Sequence, residues 1–368
     1  MNIVFYLDNL NDGGVQRRTM RLLGGLVNEA SSSITQVHLI INEPNGANIN
    51  LVPDDVILHV LGGGKGKILS YNLKKKLVEI GPDVITCCMG QQFIQVIKNR
   101  KYLSNSCKYY IIQAVPVDLV ANNWLKNLAR RVAMRYFYLM ADKIICVSNE
   151  VKETVDRLSL KLKSRTITIY NPVVSNNLID LSQKQVEHSF FSSKNTLLVA
   201  AGRLNVQKDY FTLIHAFEIA LKSNSKLRLI ILGGGELYEA LNNVVNKKCL
   251  AEYIDLVGFV DNPYSYITKA DLFVMSSLWE GLPNAMIEAM ALGKKVVSTD
   301  CIAGPREILE NEKFGTLVRV KDAEEFAKGI SKELLIQRDI QQIKNRGWQF
   351  SVTNATKNYI QLFKTGTL

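Results

Sequence analysis

Several features that would point to other classes of protein are missing from this 368-residue sequence. No run of about 18 apolar residues occurs, so the sequence predicts no membrane-spanning helix. The first residues, MNIVFYLDNL, lack a basic segment ahead of their apolar run, which predicts a strand rather than a signal peptide. The six cysteines show no Cys-x-x-Cys spacing and no pairing with histidine. Four of them lie in apolar, strand-like contexts, so we expect reduced core residues in a cytoplasmic protein.

Motifs that bind nucleotides through a glycine-rich loop or a metal ion are also missing. There is no Gly-x-x-x-x-Gly-Lys-Ser/Thr phosphate loop, and no Gly-x-Gly-x-x-Gly with an acidic residue about 20 positions later. There is no Asp-x-Asp pair of the kind that holds a divalent cation on a diphosphate. We therefore expect neither a cofactor nor a metal ion.

Positive charge is concentrated in the first half of the chain. Residues 1–175 hold 22 Lys and Arg against 13 Asp and Glu, whereas residues 176–368 hold 23 against 21. A basic half-protein predicts an anionic partner, and the charge alone leaves open a membrane surface, a lipid pyrophosphate or a nucleic acid. A solvated basic face without a ligand is the alternative.

The sequence contains two successive series of short apolar runs separated by amphipathic segments. The first series begins with NIVFYL at 2–7, the second with TLLVAAGRL at 196–204, and a polar segment at 175–195 lies between them as a linker. Continuous apolar runs with helices between them predict parallel sheets buried on both faces. The predicted fold class is α/β, with two doubly wound Rossmann-like domains facing a cleft. The predicted division is 1–174, 175–345 and a closing helix at 346–368 that returns to the first domain.

Glycine clusters follow three of the predicted strands, at 13–14, 62–64 and 233–235. Glycine lets the backbone approach a ligand, and the N-terminus of a following helix attracts phosphate. A structural turn is the alternative for each cluster. The segment AGRLNVQKD is more specific, because Arg203 ends a strand and Lys208 follows just before a helix. Two cations at strand ends in a cleft suit a diphosphate, although both residues could lie at the surface without a ligand.

The segment SSLWEGLPNAMIEAM, at 276–290, places Glu280 in a Gly/Pro-bearing turn and Glu288 inside the following helix. Backbone N–H groups at the helix start are unpaired donors for a sugar hydroxyl or a phosphate oxygen. Glu280 can accept from sugar hydroxyls, and Glu288 can accept from both hydroxyls of a ribose. The alternative is a Glu280 favoured by the helix dipole and a solvated Glu288, which its apolar neighbours disfavour. We interpret the two carboxylates as anchors for one ligand rather than as an acid–base pair.

Four segments in this order, RLNVQKD, GFVDN, EGLPNAMIE and GPREIL, resemble the retaining nucleotide-sugar glycosyltransferases of family GT4, which have the GT-B architecture. The Glu-x7-Glu spacing matches the donor-site motif of that family. The resemblance is strong over most of the second half. In the first half it rests on DGGVQRRTMRLLGGL, GPDVI, DKIICVSNEVKETV and IYNPV. The segment at 299–309 is similar to that of enzymes that build capsule, O-antigen, lipopolysaccharide and related bacterial polysaccharides.

The resemblance implies a role for each matching residue. Arg203 and Lys208 would bind the donor pyrophosphate and, with Glu280, form the catalytic set. Glu280 would also hold the transferred sugar, and Glu288 would hold the ribose. The implied donor-binding residues are Gly13, Gly14, Arg203, Lys208, Gly258, Phe259, Val260, Glu280, Gly281, Leu282, Asn284 and Glu288.

One feature of many family members is missing, a histidine after the first-domain strand that corresponds to YYIIQAVPVDL. This chain has Gln113 and Asp118 in that segment. Asp118 is therefore a weak candidate for a general base, and the leaving phosphate can instead take the acceptor proton in a retaining reaction. The four histidines lie elsewhere, at His38, His59, His188 and His215.

The segment at 123–143 is both basic and amphipathic. Such a helix can lie on an anionic membrane, which would place the protein at the inner face of that membrane. A helix that faces the core with a solvated basic side is the alternative. The apolar residues at helical spacing are Leu125, Leu128, Val132, Tyr136 and Leu139, and the basic ones are Lys126, Arg130, Arg131 and Arg135.

The function predicted from these features is a retaining, metal-independent glycosyltransferase of surface polysaccharide biosynthesis. It would move a hexose or N-acetylhexosamine from a UDP-sugar to a glycan acceptor carried on lipid. A UDP-sugar 2-epimerase-like enzyme on the same fold and a transferase that uses GDP- or ADP-sugars are the alternatives. A nucleic-acid partner is disfavoured, because the chain lacks basic stretches interleaved with aromatic residues and any known reader motif.

Overall fold

The computed structural model describes residues 1–11, 13–29, 34–46, 48–63, 66–88, 90–119 and 124–368, without the side chains of 124–126. Gly64 of the second glycine cluster and Asn123, the first residue of the basic segment, lie outside the described residues. So do the side chains of Leu125 and Lys126. None of the helices in the described ranges has the length and apolar character that crossing a bilayer requires.

Up to Pro172 the described chain alternates between strands and helices. Short 3₁₀ turns at Ile49–Leu51, Arg100–Tyr102 and Leu160–Leu162 connect some of them. The elements are β1 (Asn2–Leu7), α1 (Gly14–Asn28), β2 (Gln36–Ile41), β3 (Ile57–Val60), α2 (Lys67–Ile80), β4 (Val84–Cys87), α3 (Gly90–Lys98), β5 (Lys108–Gln113), α4 (Trp124–Tyr138), β6 (Lys143–Cys146), α5 (Asn149–Asp156) and β7 (Thr166–Thr168).

The same alternation continues to the end of the chain, with a 3₁₀ turn at Val206–Lys208. After the last strand of the described chain, three helices follow one another without a strand between them. The elements are α6 (Leu178–Ser182), β8 (Thr196–Ala201), α7 (Tyr210–Ser223), β9 (Leu227–Leu232), α8 (Tyr238–Lys247), β10 (Ile254–Gly258), α9 (Tyr264–Ile267), β11 (Leu272–Met275), α10 (Asn284–Ala291), β12 (Lys295–Thr299), α11 (Pro305–Ile308), β13 (Thr316–Val318), α12 (Ala323–Leu335), α13 (Ile340–Trp348) and α14 (Val352–Thr365).

The chain forms two compact units. The first consists of Met1–Pro172 together with Val352–Leu368, and the second of Val173–Ser351. The sequence placed the boundaries after residues 174 and 345, whereas this division places them after Pro172 and Ser351.

The sheet of the first unit has the strand order β3-β2-β1-β4-β5-β6-β7, and its neighbouring strands pair in parallel. In both β1 and β2 every residue after the first is buried. The continuous apolar runs therefore match strands covered on both faces, as expected for a parallel sheet.

The sheet of the second unit has the order β10-β9-β8-β11-β12-β13, again with parallel neighbours. In each sheet the strand order reverses beside the first strand of the unit, between β1 and β4 and between β8 and β11. Such a reversal is the position at which doubly wound folds bind ligands, at the carboxyl ends of the strands.

The C-terminal segment differs from the single helix predicted for 346–368. Helix α13 ends at Trp348, and the backbone N–H of Val174 donates to the carbonyl of Phe350 at 3.1 Å. A bridge pairs Val174 with Ser351. Because this backbone is engaged in strand-like pairing, the helix stops and α14 starts anew at Val352.

Helix α14 belongs to the first unit and packs on α1. The ring of Phe363 stacks on that of Tyr110, with centroids 5.7 Å apart. A glycine allows the close approach of the two helices, because a Cβ on Gly25 would lie 2.1 Å from Oγ1 of Thr356. The C-terminal segment thus completes the core of the unit in which the chain begins.

The polar segment 175–195, predicted as a linker, is packed onto the second unit. The Nδ1 atom of His188 accepts from the backbone N–H of Phe190 at 3.1 Å. Its Nε2 therefore carries the ring proton and donates to Asp255 Oδ2 at 2.8 Å. This histidine has a structural role in the segment before β8.

Helix α4 exposes three of the apolar side chains for which the sequence allowed either a membrane-facing or a core-facing position. Leu128, Val132 and Tyr136 are 52%, 60% and 60% exposed, so the core-facing interpretation is wrong for these three residues. Nη2 of Arg130 donates to the carbonyl of Val117 at 2.6 Å. One face of α4 thus presents an apolar stripe at the surface of the first unit.

Candidate functional site

The residues predicted around Glu280 lie at the carboxyl edge of the second sheet, where the strand order reverses. Strands β8 and β11 are neighbours there, so the segments that follow them meet at this edge. Lys208 follows β8 and Glu280 follows β11. The Nζ atom of Lys208 lies 2.6 Å from Oε1 of Glu280, and the two side chains are 19% and 8% exposed. Two predicted site residues therefore form one largely buried ion pair.

The Glu280 carboxylate is held by more than the lysine. The hydroxyl of Ser277 donates to the same Oε1 atom at 2.7 Å. The carbonyl of Ser277 in turn accepts from Oγ1 of Thr299 at 2.5 Å. The backbone N–H of Glu280 donates to the carbonyl of Ile302 at 3.0 Å. These bonds tie the turn after β11 to the segment after β12 and fix the orientation of the carboxylate.

Lys208 is positioned by the turn that precedes α7. Its backbone N–H donates to Oδ1 of Asn205 at 3.3 Å, and its carbonyl accepts from Oγ of Ser276 at 2.7 Å. Asp209 has a φ of 45°, a left-handed conformation, and its Oδ1 caps α7 by accepting from the backbone N–H of Thr212 at 3.4 Å. The lysine side chain is thereby directed at the Glu280 turn.

Two neutral acids lie close to this ion pair. Burial raises the pKa of the Tyr210 phenol, and the negative charge of Glu280 raises it further. Burial also raises the pKa of the Cys301 thiol, again with a contribution from Glu280. Both groups therefore stay protonated near neutral pH, and the thiol is not an activated nucleophile.

Glu288 lies on α10 and is buried, as its apolar neighbours suggested. The hydroxyl of Tyr264, on α9, donates to Glu288 Oε1 at 3.0 Å. The sequence reasoning missed Tyr264, whose only available signal was its place two residues after the GFVDN segment. The carboxylate thus lies inside the unit, held by a phenol.

The predicted residues around the start of α10 lie next to Glu280. Gly281 and Leu282 are buried, and Asn284 is the first residue of the helix, where backbone N–H groups lack partners within the helix. The turn is packed tightly against the next one, because a Cβ on Gly304 would lie 2.5 Å from Cδ of Pro283. The glycine at that position has a φ of 99°.

The glycine turn at 233–235 is packed against the segment that carries Arg203. A Cβ on Gly233 would lie 2.0 Å from the carbonyl oxygen of Gly202, and one on Gly235 would lie 2.3 Å from that of Leu204. The glycines are thus required by close backbone packing, which is the structural alternative that the sequence left open. Arg203, on the segment after β8, is exposed.

Gly258 is the last residue of β10, and Phe259 and Val260 follow it next to the glycine turn at 233–235. The backbone N–H of Gly233 donates to the carbonyl of Gly258 at 2.8 Å. Phe259 is exposed, and a Cβ on Gly234 would lie 3.8 Å from the Cβ of Phe259. An exposed aromatic ring therefore borders the turn at the carboxyl edge of the sheet.

The predicted residues of the first unit occupy the start of α1 and the loop after β5. Gly13 is the N-cap residue of α1 and Gly14 its first residue. Asp118 forms ion pairs with Arg131 at 2.6 Å and with Arg157 at 3.4 Å. Both carboxylate oxygens of Asp118 thus face guanidinium groups.

Comparison with known proteins finds a family that the second unit resembles. The model of the family described as "Glycosyl transferases group 1" matches residues 182–349, which include the Lys208–Glu280 pair and Glu288. This segment of the chain is similar to the group 1 glycosyltransferases, and the resemblance to GT4 enzymes is confirmed.

Two curated relatives extend the similarity beyond the matched segment. An uncharacterized glycosyltransferase of Methanocaldococcus jannaschii is 32% identical over 248 residues, which are 65% of this chain and 61% of that protein. The N-acetylgalactosamine-N,N'-diacetylbacillosaminyl-diphospho-undecaprenol 4-alpha-N-acetylgalactosaminyltransferase of Campylobacter jejuni is 30% identical over 220 residues, 60% of this chain and 58% of that enzyme. The chain thus spans about 60% of the length of these relatives.

Solved structures confirm the predicted fold class. Anabaena HepE, in complex with UDP and glucose, superimposes with a TM-score of 0.77 at 16% identity, and covers 99% of this chain and 100% of its own. The two parallel-sheet Rossmann-like units are those of the GT-B glycosyltransferases.

Proposed function

We propose that this chain transfers a hexose or an N-acetylhexosamine from a UDP-sugar to a lipid-linked glycan in the synthesis of a surface polysaccharide. The observation that carries the proposal is the buried Lys208–Glu280 pair at the strand reversal of a group 1 glycosyltransferase unit. Two similar proteins support the substrates: the Campylobacter enzyme acts on a diphospho-undecaprenol glycan, and Anabaena HepE binds UDP and glucose.

Each side chain of the site suits one part of the donor. The Lys208 ammonium and the exposed Arg203 guanidinium supply positive charge for the pyrophosphate. Glu280 accepts hydrogen bonds from the transferred sugar, and Glu288 accepts them from the ribose. Because Lys208 and Glu280 are in contact, the sugar and the pyrophosphate would be held next to each other.

The reaction we propose retains the anomeric configuration and uses no metal ion. The acceptor hydroxyl attacks the anomeric carbon from the face that the UDP leaves, and the bond from that carbon to the β-phosphate oxygen breaks. The leaving phosphate takes the acceptor proton, and Lys208 with Arg203 stabilises its developing charge. Asp118 is the less favoured base, because Arg131 and Arg157 already bind its carboxylate.

The test is UDP release from a panel of UDP-hexoses and UDP-N-acetylhexosamines, with lipid-linked glycan acceptors, in EDTA. Lys208→Met and Glu280→Gln should each lower kcat by about 100-fold, because each removes charge stabilisation or alignment in the transition state. The matched control is Glu218→Gln, which breaks another lysine–glutamate pair of the same unit, to Lys248 at 2.6 Å. Full activity of both site variants, or loss of activity in EDTA that Mg²⁺ restores, contradicts the proposal.

Two further experiments on the same protein test the alternative reactions, UDP-sugar 2-epimerisation and transfer from a GDP- or ADP-sugar. A 2-epimerase would convert the UDP-sugar without an acceptor, which NMR of the products would detect. A GDP- or ADP-sugar transferase would be stabilised by those donors in a thermal-shift panel, since a ligand at 100 times its Kd adds about 2.7 kcal/mol to the unfolding free energy.

We further propose that α4 contacts an anionic membrane surface. Its exposed apolar stripe of Leu128, Val132 and Tyr136 is accompanied by the exposed basic residue Arg135, and the first half of the chain carries most of the positive charge. Apolar side chains that enter the interface beside cations attracted to anionic lipid are the features of interfacial helices.

Liposome co-sedimentation tests the membrane contact. Val132→Asp should weaken binding to anionic vesicles about tenfold, because burying a valine contributes about 1.5 kcal/mol or more. Leu160→Asp, at another exposed leucine of the same unit, is the matched control and should leave binding unchanged. Equal binding of the parent protein to neutral and anionic vesicles, or equal loss in both variants, contradicts the contact.

A further inference from the structure

A cavity of about 630 Å³ lies in the first unit, between α2, α3 and the turn Arg100–Tyr102. It is separate from every residue assigned to the donor site. Its volume is in the range of small-molecule sites, and no Asp or Glu is among the residues described as lining it. The charged and aromatic lining residues are Lys67, Lys74, Lys98, Lys101, Tyr71 and Tyr102.

Two of the lysines are gathered on one aromatic ring rather than on a carboxylate. The Nζ atom of Lys74 lies 3.7 Å from the ring centroid of Tyr102, and that of Lys101 lies 5.1 Å from it. A hydrogen bond from Lys101 lowers the pKa of the Tyr102 phenol. The quadrupole of the ring attracts both ammonium groups without neutralising them. The positive charge of the cavity is therefore held in place and left uncompensated by the lining.

The acidic residue of α2 is Glu79, and it is paired within that helix. Glu79 accepts from Lys76, with its two oxygens 3.0 and 2.9 Å from Nζ. Neither residue is among those described as lining the cavity, so this carboxylate is paired with a lysine outside the lining.

We propose that this cavity binds a ligand that carries two or more phosphate charges. Lysine binds phosphate as a point charge, whereas planar bidentate recognition of carboxylates favours arginine, which is not among the described lining residues. Four ammonium groups exceed what one phosphate needs, and the volume admits a larger group. The polar inner wall includes Gln95, whose Oε1 is 2.5 Å from the Tyr6 hydroxyl.

The ligand chemistry is compatible with two sources, a phosphorylated lipid headgroup or a soluble phosphorylated sugar. Ile68 and Tyr71 on α2 are strongly exposed beside the cavity, which would suit a headgroup at a membrane surface. The inference does not depend on the proposed donor site, because the two sets share no residue and the charged donor-site residues, Arg203, Lys208, Glu280 and Glu288, belong to the second unit.

Calorimetric titration of the full chain with inorganic pyrophosphate tests the cavity. The parent protein should bind at this site in addition to any binding at Lys208. Lys74→Gln and Lys98→Gln should each weaken the cavity site about tenfold, since a hydrogen bond to a charged group contributes about 1.5 kcal/mol or more. Lys208→Met should leave that site intact. The matched control is Lys75→Gln, at an exposed lysine of the same helix outside the cavity.

Vesicles distinguish the two sources. Phosphatidylcholine vesicles with and without a phosphorylated phosphoinositide are compared by co-sedimentation with the parent and Lys74→Gln proteins. A loss of phosphoinositide binding in the variant supports a lipid headgroup, and unchanged vesicle binding with weakened pyrophosphate binding supports a soluble ligand.

Three results would overturn the inference. Pyrophosphate binding that disappears in Lys208→Met and is unaffected in Lys74→Gln and Lys98→Gln would assign all binding to the donor site. Equal weakening by Lys75→Gln would mean non-specific attraction to a basic surface. Binding of oligogalacturonate through these lysines, with none of pyrophosphate, would make the ligand a carboxylated glycan. Loss of glycosyl transfer in the Lys208 variant bears on the proposed function alone.

Discussion

Glu280 is a buried carboxylate whose two side-chain partners on Oε1 differ in charge. Lys208 donates from an ammonium at 2.6 Å and Ser277 from a hydroxyl at 2.7 Å. Removing one member of a buried ion pair leaves an uncompensated charge, at a cost of about 3–5 kcal/mol. Variants of Lys208 therefore need a folding control, whereas Ser277 allows the orientation of the carboxylate to be tested without changing the charge.

Ser277→Ala should lower donor turnover about tenfold, because it removes one charge-assisted hydrogen bond that orients Glu280. The measurement separates kcat from KM for the proposed UDP-sugar donor. If the serine positions Glu280 in the transition state, kcat falls while KM changes little.

Ser182→Ala is the control for that substitution. This serine is also buried in the second unit, and its hydroxyl donates to the carbonyl of Ile179 at 2.7 Å rather than to a residue of the site. A comparable fall in kcat in both variants, or a fall that follows the loss of thermal stability, would show that Ser277 acts only through the fold.

At the scale of elements, the close packing of α1 and α14 depends on the absence of a Cβ atom at Gly25. Gly24 and Gly25 are neighbours on α1, but only Gly25 faces α14. A Cβ on Gly25 would meet Thr356 Oγ1 at 2.1 Å, whereas one on Gly24 would meet only Pro53 Cγ at an ordinary 3.6 Å. The two positions share the same helix propensity, so the difference between them isolates the packing of α14.

Gly25→Ala should lower the free energy of unfolding by about 1–3 kcal/mol, because the added methyl overfills the interface. Gly24→Ala should raise it by up to about 1 kcal/mol, since alanine is the better helix former. Urea unfolding measures both. Thr356→Ala combined with Gly25→Ala should recover part of the loss, and equal stability of the two single variants would contradict the close approach of α1 and α14.

The helices and strands were easier to predict from the sequence than the tertiary contacts between their side chains. Hydrophobic periodicity and apolar runs indicated the strands and the helix that carries Glu288, because both signals are local. Lys208 and Glu280 are 72 residues apart, and their contact depends on β8 lying beside β11, an order that no local pattern contains. Tyr264 was missed for the same reason, since its bond to Glu288 joins α9 to α10. The exposure of α4 was ambiguous because an apolar stripe fits either a core or a membrane.

At the scale of the whole molecule, the chain has a formal charge of +11 with neutral histidines, so acid adds positive charge to an already basic protein. His38 on β2 and His59 on β3 are the sensitive pair, with Nδ1 of the first 3.0 Å from Nε2 of the second. Burial and then His59 lower the pKa of His38. Burial and the Lys76 ammonium lower the pKa of His59, against a smaller opposite effect of Glu79.

The sign of the pH dependence follows from these lowered pKa values. A histidine in the unfolded chain titrates near about 6.5, so below that pH the unfolded state binds protons that the folded pair does not yet bind. The free energy of unfolding should therefore be at its full value above about pH 6.5 and fall as the pH drops through the lowered pKa values. Urea unfolding at a series of pH values measures this slope, and hydrogen exchange should locate the loss at β2 and β3.

His59→Gln should flatten that slope, because it removes one titrating ring and the repulsion between two imidazolium ions. His215→Gln, at an exposed histidine of α7 in the second unit, is the matched control. A stability that rises on acidification, or equal slopes in the parent and the His59 variant, would mean that the pair does not resist protonation. Because β3 is the edge strand of its sheet, the first amides to lose protection should be those that pair β3 with β2.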